Sequence, residues 1–376
     1  MKDNPKVAIV AGCDSKFSKN TEKSIFDIAM EPCVSLFKNK KNGKINKDNL
    51  DAVIFSSCTE EQYTSSILSE MIGIKPKISQ RLDNLCNSGS NAIINAYSYI
   101  VSGLCESVLV VGAEKTTTSG KRLAWDISRG NFSSPIYWAS LFARMHMRKF
   151  GTTEEQMAHV VVKNRNNGRK NKNALTYNEK KVGLEDVLSS KKISDPIKKL
   201  DCSQVCEGAS AILLTSSRRI KEFTDNPVWI KGIGHQTSCA SFGNIVDEIL
   251  TSSPAKQASN LAFKMAGIGP SNIDVAEIHD AFSILEIMAY EDLGFVKRGF
   301  GGKYAEKNLI TINPRGGLIG MGHPLGTTGI SQAVEIFSQL SNIDKKRKQR
   351  NYQKTGIIHN LAAAGTSASV IILGVD

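Results

Sequence analysis

The sequence predicts a layered α/β protein made of two similar halves, and three observations carry that expectation: continuous β-branched runs, helical patterns between them, and a second set that repeats the first. At 376 residues the chain has room for roughly two to three domains of about 150 residues each. The first strand set reads Val7–Ala11, Ala52–Ser56, Ser107–Gly112 and Ala209–Thr215. The second reads Val228–Ile233, Val275–Ile278, Gly356–His359 and Ala368–Leu373. These runs are largely apolar rather than alternating, which suits strands buried on both faces. Helical patterns cover Ser88–Val101, Ser253–Gly267, Phe282–Leu293 and Gly326–Leu340, bounded by Gly, Ser, Asp or Pro. Such alternation implies mainly parallel sheets with right-handed crossovers. Between Thr116 and Leu200 it stops, and Lys, Asn, Ser and Arg take over. That stretch is too long for a plain loop and reads as an inserted, mostly helical lobe resting on the first half, a natural lid or substrate surface.

Apolar residues make up 41% and charged residues 22%, so a folded globular chain is expected. Runs such as Val108–Gly112 and Val370–Gly374 fall far short of the ~20 residues that span a bilayer, and no targeting signal is visible. Eight cysteines without paired zinc spacing fit free thiols in a reducing cytoplasm. The net charge of +12 comes largely from Lys38–Lys47, Lys163–Lys172, Lys180–Lys199 and Lys345–Arg350, read as solvated loops or helix faces. A surface for a polyanionic small molecule is the next reading. Nucleic acid is disfavoured, because no aromatic residues interleave with the basic ones.

Cys86, in Asn84-Leu85-Cys86-Asn87-Ser88-Gly89-Ser90, stands just before an apolar helix. There the helix dipole and exposed N–H groups can stabilise a thiolate or bind an oxyanion; a buried structural cysteine is the alternative. His323 lies in Gly316-Gly317-Leu318-Ile319-Gly320-Met321-Gly322-His323-Pro324-Leu325-Gly326, where the glycines allow a tight, rigid turn. An imidazole held there is a near-neutral base for the Cys86 proton; a glycine-rich phosphate turn with an incidental histidine is the alternative. His279 follows a strand in Glu277-Ile278-His279-Asp280-Ala281-Phe282, at the end where α/β folds place ligands. It could orient a water or donate to developing negative charge, while Asp280 reads as the N-cap of Phe282–Leu293. The segment His359-Asn360-Leu361-Ala362-Ala363-Ala364-Gly365-Thr366 is a small-residue turn whose N–H groups could face a thioester, or a plain hairpin. His146, His159, His235 and His359 lack such context and are expected to be surface or core residues.

Together NLCNSGS, EIHDAF, GGLIGMGHPLGTTG, CSQVCEGASAILL and NLAAAGTSASVIIL resemble the thiolase superfamily across nearly the whole chain. HDAF is similar to the branch of archaeal acetoacetyl-CoA thiolases and thiolases linked to sterol carrier protein. The resemblance implies a thiolase-like five-layered αβαβα fold of two duplicated βαβαβαββ halves. Residues 1–118 plus 201–222 would form the first half, 119–200 the inserted lid lobe, and 223–376 the second half. It implies a homo-oligomer, dimer or tetramer, acting on coenzyme A thioesters as substrates, with no resident cofactor or metal. A small OB-fold, zinc-ribbon partner protein that helps hold coenzyme A is a further implication, as are no nucleic acid and no membrane partner.

By family role Cys86 would be acylated, His323 would activate it, and His279 with His323 would stabilise an enolate. The backbone N–H groups of Cys86 and Gly365 would form the oxyanion hole. The expected activity is acetyl-CoA C-acetyltransferase, an acetoacetyl-CoA or β-ketoacyl-CoA thiolase working through acyl-Cys86. The alternatives are transfer to an acceptor other than coenzyme A, or a thiolase-like lyase or subunit active only with a partner. One departure stands out: the family's second acid/base cysteine is missing from both its usual places, which read Ala362-Ala363-Ala364-Gly365 and Ala281. His279 is the first candidate substitute base, with a relocated Cys58 or Cys239 as another.

Overall fold

The computed structural model describes residues 5–19, 21–38, 45–115, 134–240, 249–307, 309–341 and 353–376. Lys345–Arg350 and part of Lys38–Lys47 lie outside them, as do the first residues of the expected lobe.

The first half runs β1 (Val7–Asp14), α1 (Ile25–Lys38), β2 (Ala52–Ser56), α2 (Thr64–Ile72), β3 (Ile78–Leu82), α3 (Ser88–Val101) and β4 (Ser107–Glu114). An excursion follows, with α4 (Pro135–Phe150), α5 (Glu154–Gly168), α6 (Leu184–Leu188) and a small hairpin of β5 (Lys192–Ser194) and β6 (Ile197–Lys198). The half then closes on β7 (Gly208–Ser216). The second half repeats the plan: β8 (Val228–Thr237), α7 (Ser253–Ala266), β9 (Val275–Ile278), α8 (Ser283–Asp292), α9 (Gly301–Lys307), β10 (Thr311–Ile312) and α10 (Gly317–Met321). It ends on α11 (Thr328–Leu340), β11 (Thr355–Ala362) and β12 (Ser367–Gly374).

Strand order makes the duplication explicit. The sheet reads β10-β9-β11-β12-β8 on one side and, on the other, β1-β7-β4-β2-β3, the same arrangement reflected across the β8/β1 junction. Only Ala8–Trp229 and Ile9–Val228 pair across that junction. The expectation of mainly parallel sheets is corrected: β2 pairs in parallel with β3 and β4, but β7 runs antiparallel to both β4 and β1. In the second half β9 is parallel to β10 and β11, whereas β12 is antiparallel to β11 and β8. Parallel pairing needs a crossover helix. The last strand of each half has none: β12 follows β11 by a tight turn, and β7 returns from the excursion.

Five layers result. The helices α1 and α2 cover one face of the first half-sheet through Ile25, Ile28, Leu36 and Leu68. The outer face of the second half-sheet carries α7 and α8. Between the half-sheets lie α3 and α11, whose Ala92, Ile93, Ile330 and Ala333 meet Ile9, Ile54 and Val110 on one side and Val275, Ile358 and Ile371 on the other. Each large side chain buried this way contributes about 1.5–3 kcal/mol.

The lobe is mostly helical where it is described, with one small hairpin, but its seat is corrected. Trp138, Phe142, Met157 and Val161 pack with Ile284 and Ile287 of α8, so it rests on the second half. The Lys163–Lys172 stretch is likewise no solvated face: Asn164 and Arg165 are buried, and Lys163 pairs with buried Glu286.

Glycine sets the spacing of the two central helices. A Cβ on Gly89 of α3 would lie 2.9 Å from the backbone nitrogens of Gly329 and Ile330, and one on Gly329 would lie 2.4 Å from Ser90 N. Backbone cannot yield as a side-chain tip can. Gly89→Ala is therefore expected to lower the unfolding free energy by about 1–3 kcal/mol in urea denaturation, against under about 0.5 kcal/mol for Ser98→Ala on the exposed face; equal effects would refute this helix contact.

Candidate active site

The approach of α3 and α11 brings their N-terminal ends together, and Cys86 and His323 sit there. Before α3 the chain turns sharply, with Leu85 at φ 49°. Ser88 Oγ stabilises that turn by accepting from Asn84 N–H and donating to the Leu85 carbonyl, both at 2.6 Å. A non-glycine residue in this region costs of order 1–3 kcal/mol and marks a position held for a reason. Here it places Cys86, half-buried, at the helix mouth. His323 is anchored by its N–H on the Gln204 carbonyl at 2.9 Å.

Cys86, His279 and His323 each present one donor atom, and the three atoms lie within 4.8 Å of one another. The two rings meet edge to face, with centroids 5.2 Å apart. They line a cavity of about 640 Å³ whose walls include Pro135, Trp138, Phe282 and Leu285, with Gly365 and the Ala362–Ala364 turn on another side. The structure thus brings all four sequence-predicted residues, Cys86, His279, His323 and Gly365, to one cavity. It does not bring Cys58 or Cys239 to the cavity wall. Cys58 is buried with its thiol on the Leu85 carbonyl at 3.1 Å, and burial raises it well above the usual thiol range. His146 is buried between Thr152 and Glu291, and His359 is buried on β11.

The two imidazoles have hydrogen-bond partners of different kinds. Thr328 Oγ1 lies 3.3 Å from the Pro324 carbonyl and 2.8 Å from His323 Nδ1, and when it donates to the carbonyl it accepts from Nδ1–H. In that tautomer Nε2 is the basic nitrogen of His323. At His279 the order is reversed: Asn360 Nδ2 donates to Nδ1 at 2.9 Å, which puts the ring proton on Nε2. Burial first, then the imidazoles of His323 and His359, push His279 well below the usual histidine range, so it stays neutral. In this tautomer His279 presents a donor to the cavity, an arrangement that favours charge stabilisation over the substitute-base role expected from the sequence.

Two buried carboxylates hold the loops in place. Asp280 does not cap the helix that follows it, as the sequence suggested. Its oxygens instead accept from Leu318 N–H at 2.6 Å, Ile319 N–H at 3.1 Å and Asn164 Nδ2 at 2.6 Å, fastening the His279 strand end to the turn before His323. Glu114, at the end of β4, accepts from Cys58 N–H at 3.1 Å and Gly326 N–H at 2.9 Å, joining a loop of each half. Sequence reasoning missed Asn360, Thr328, Asn164 and Glu114. The signal for Asn360 was strand alternation, which turns it away from His359 and toward α3, where Ser90 Oγ donates to its Oδ1 at 3.2 Å.

The arrangement joins a thiol at a helix N-terminus, a base, a neutral N–H donor and an apolar cavity, the parts of an acyl-transfer site. Comparison with known proteins agrees. Residues 7–218 match the family model "Thiolase, N-terminal domain", and residues 240–375 match "Thiolase C-terminal domain-like". The chain is 32% identical to an acetyl-CoA acetyltransferase of Methanothermobacter thermautotrophicus, covering 97% of this chain and 98% of that protein. It is 33% identical to an acetyl-CoA acetyltransferase of Methanocaldococcus jannaschii, covering 97% of each. A solved structure described as "Ltp2-ChsH2(DUF35) aldolase" shares its fold, with a TM-score of 0.87 at 23% identity over 99% of this chain and 98% of that one. Two domain matches that span both halves, and near-full-length identity to these archaeal proteins, place the chain in the thiolase family, to which it belongs as an acyltransferase enzyme.

Proposed function

We propose that the protein is an acetyl-CoA C-acetyltransferase that condenses two acetyl-CoA to acetoacetyl-CoA, or runs the cleavage, through an acyl group on Cys86. The observation that carries this reading is the meeting of Cys86 Sγ with both imidazoles in one cavity. His323 Nε2 takes the Cys86 proton, the thiolate attacks the thioester carbonyl, and the backbone N–H groups of Cys86 and Gly365 receive the oxyanion. His279 Nε2–H then donates to the enolate oxygen of the second substrate. The near-full-length identity to archaeal acetyl-CoA acetyltransferases supports the substrate class.

A homo-oligomer, at least a dimer, belongs to the proposal, and a sheet edge at β3 that no described strand covers is compatible with it. Eight free cysteines support a reducing cytoplasm. A second reading, activity only with an OB-fold, zinc-ribbon partner, draws on the aldolase complex whose name includes a DUF35 component. It also draws on the exposed Ile193 and Val205 at the cavity wall, an apolar surface that a partner could cover.

The test is incubation with acetyl-CoA, and separately with acetoacetyl-CoA plus coenzyme A, reading intact-protein mass and product. Acyl-Cys86 and product are expected, and Cys86→Ala abolishes both; acylation without product in either direction sinks the thiolase reading for the isolated chain. For His279, removal of one oxyanion donor costs about 10²–10³-fold. His279→Ala should lose condensation by that factor while Cys86 is still acylated. His279→Gln, which keeps an N–H, should recover about tenfold of it. Equal losses in the two variants would restore His279 as a base.

A further inference from the structure

The condensation reading leaves one proton without a carrier. Taking hydrogen from an acetyl α-carbon needs a base, and returning it in the cleavage direction needs an acid. His279 presents an N–H, His323 serves the Cys86 sulfur, and Cys86 is a thioester while the carbon–carbon bond forms. Among the described residues that line the cavity, the remaining titratable side chain is Cys202.

Backbone pairing explains its position. Cys202 bridges antiparallel to Phe282, and Ser203 N–H donates to the Ala281 carbonyl at 2.9 Å. The strand end that carries His279 therefore continues directly against the segment that carries this thiol. Cys202 is half-buried, and its Sγ donates to the Lys198 carbonyl at 3.4 Å, a contact that requires the protonated form. Burial first, then the Asp201 carboxylate, pushes the thiol up to about 12, so it rests protonated. Neither Cys58 nor Cys239 lines the cavity.

Resting on the acyl-Cys86 reading, we propose that Cys202 is the second proton-transfer group of this site. In the cleavage direction the Cys86 thiolate adds to the β-carbonyl of a β-ketoacyl-CoA. The carbon–carbon bond breaks, and its electron pair becomes the enolate of acetyl-CoA. Cys202 S–H protonates the enolate carbon and is left as thiolate. The incoming coenzyme A thiol gives that thiolate its proton; the coenzyme A thiolate so formed attacks acyl-Cys86 and expels the Cys86 thiolate. Every proton and charge returns to its starting place. Condensation is the reverse, with Cys202 protonating the departing coenzyme A and then taking the α-proton.

The experiment uses the full chain, with acetyl-CoA in deuterated water and, separately, acetoacetyl-CoA plus coenzyme A. Three quantities are read: acylation of Cys86, deuterium uptake at the acetyl α-carbon, and thiolysis. Wild-type protein should show all three. Cys202→Ala and Cys202→Ser should still be acylated by acetyl-CoA, because coenzyme A can leave as its thiolate and take its proton from solvent, while deuterium uptake and thiolysis, which need a positioned group at carbon, fall about 10²–10⁴-fold. Uptake and thiolysis within threefold of wild type in Cys202→Ala would overturn the assignment. Loss of acylation together with the other two in both variants would also overturn it, because Cys202 would then be structural. Wild-type protein that is never acylated, or that is acylated without uptake or thiolysis, would instead remove the reading beneath the proposal.

Discussion

The site depends on the backbone-to-backbone approach of α3 and α11. Because Gly89 and Gly329 have no Cβ, the two helices that share the central layer meet where each begins. Each helix belongs to a different half of the duplicated chain and follows an equivalent strand, so its N-terminal end stands at an equivalent place. Bringing two such ends together puts two sets of outward-pointing N–H groups and two loops around one small volume. The chemistry is then a matter of what those loops carry: a thiol in one and an imidazole in the other.

Holding that geometry requires polar groups deep in the protein. Asp280, Glu114 and Glu286 are all buried, and an isolated buried carboxylate would cost several kcal/mol. None is isolated. Asp280 accepts two backbone N–H groups and the Asn164 amide, and that amide also donates to Glu286, as does Asn313. Lys163 and Tyr290 complete the surroundings of Glu286. Asn313 closes the circuit by accepting from Ile278 N–H at 2.8 Å, one residue before His279. Burial first, then the neighbouring Glu286 carboxylate, raises Asp280 above the usual carboxylate range. Such a network adds little stability over an apolar core. Its consequence is directional, because it fixes three loops at once.

How much of this was legible in the sequence follows from how local each signal is. The strands Ala52–Ser56 and Val275–Ile278 and the helix Ser88–Val101 coincide with the expected boundaries, since runs of one type between turn residues need no outside information. Cys86, His279 and His323 were visible because each stands at the end of such an element. The strand Ile78–Leu82 was hidden: Ile-Ser-Gln-Arg-Leu is polar at its centre, as an edge strand can afford to be. The antiparallel strands β7 and β12 could not be told from parallel ones, because direction is set by the partner and not by the run. The seat of the lobe was hidden for the same reason. An apolar helix face such as Trp138, Phe142 and Met157 states that it must be covered, not by which half.

Side-chain polarity was the least legible feature, and it decides the chemistry. His279 and His323 are the same residue type at comparable burial, and in sequence either could be the base. The difference lies one bond further out. A threonine hydroxyl that donates to a carbonyl accepts from His323, whereas an asparagine amide nitrogen donates to His279. Thr328 is five residues beyond its histidine, on the helix that the histidine precedes, so its contact follows from local geometry once the helix start is known. Asn360 is remote in sequence and reaches His279 because β11 pairs in parallel with β9, with His359 opposite Ile278. The register of that pairing, a backbone property, thereby sets which ring nitrogen of His279 meets the Asn360 amide.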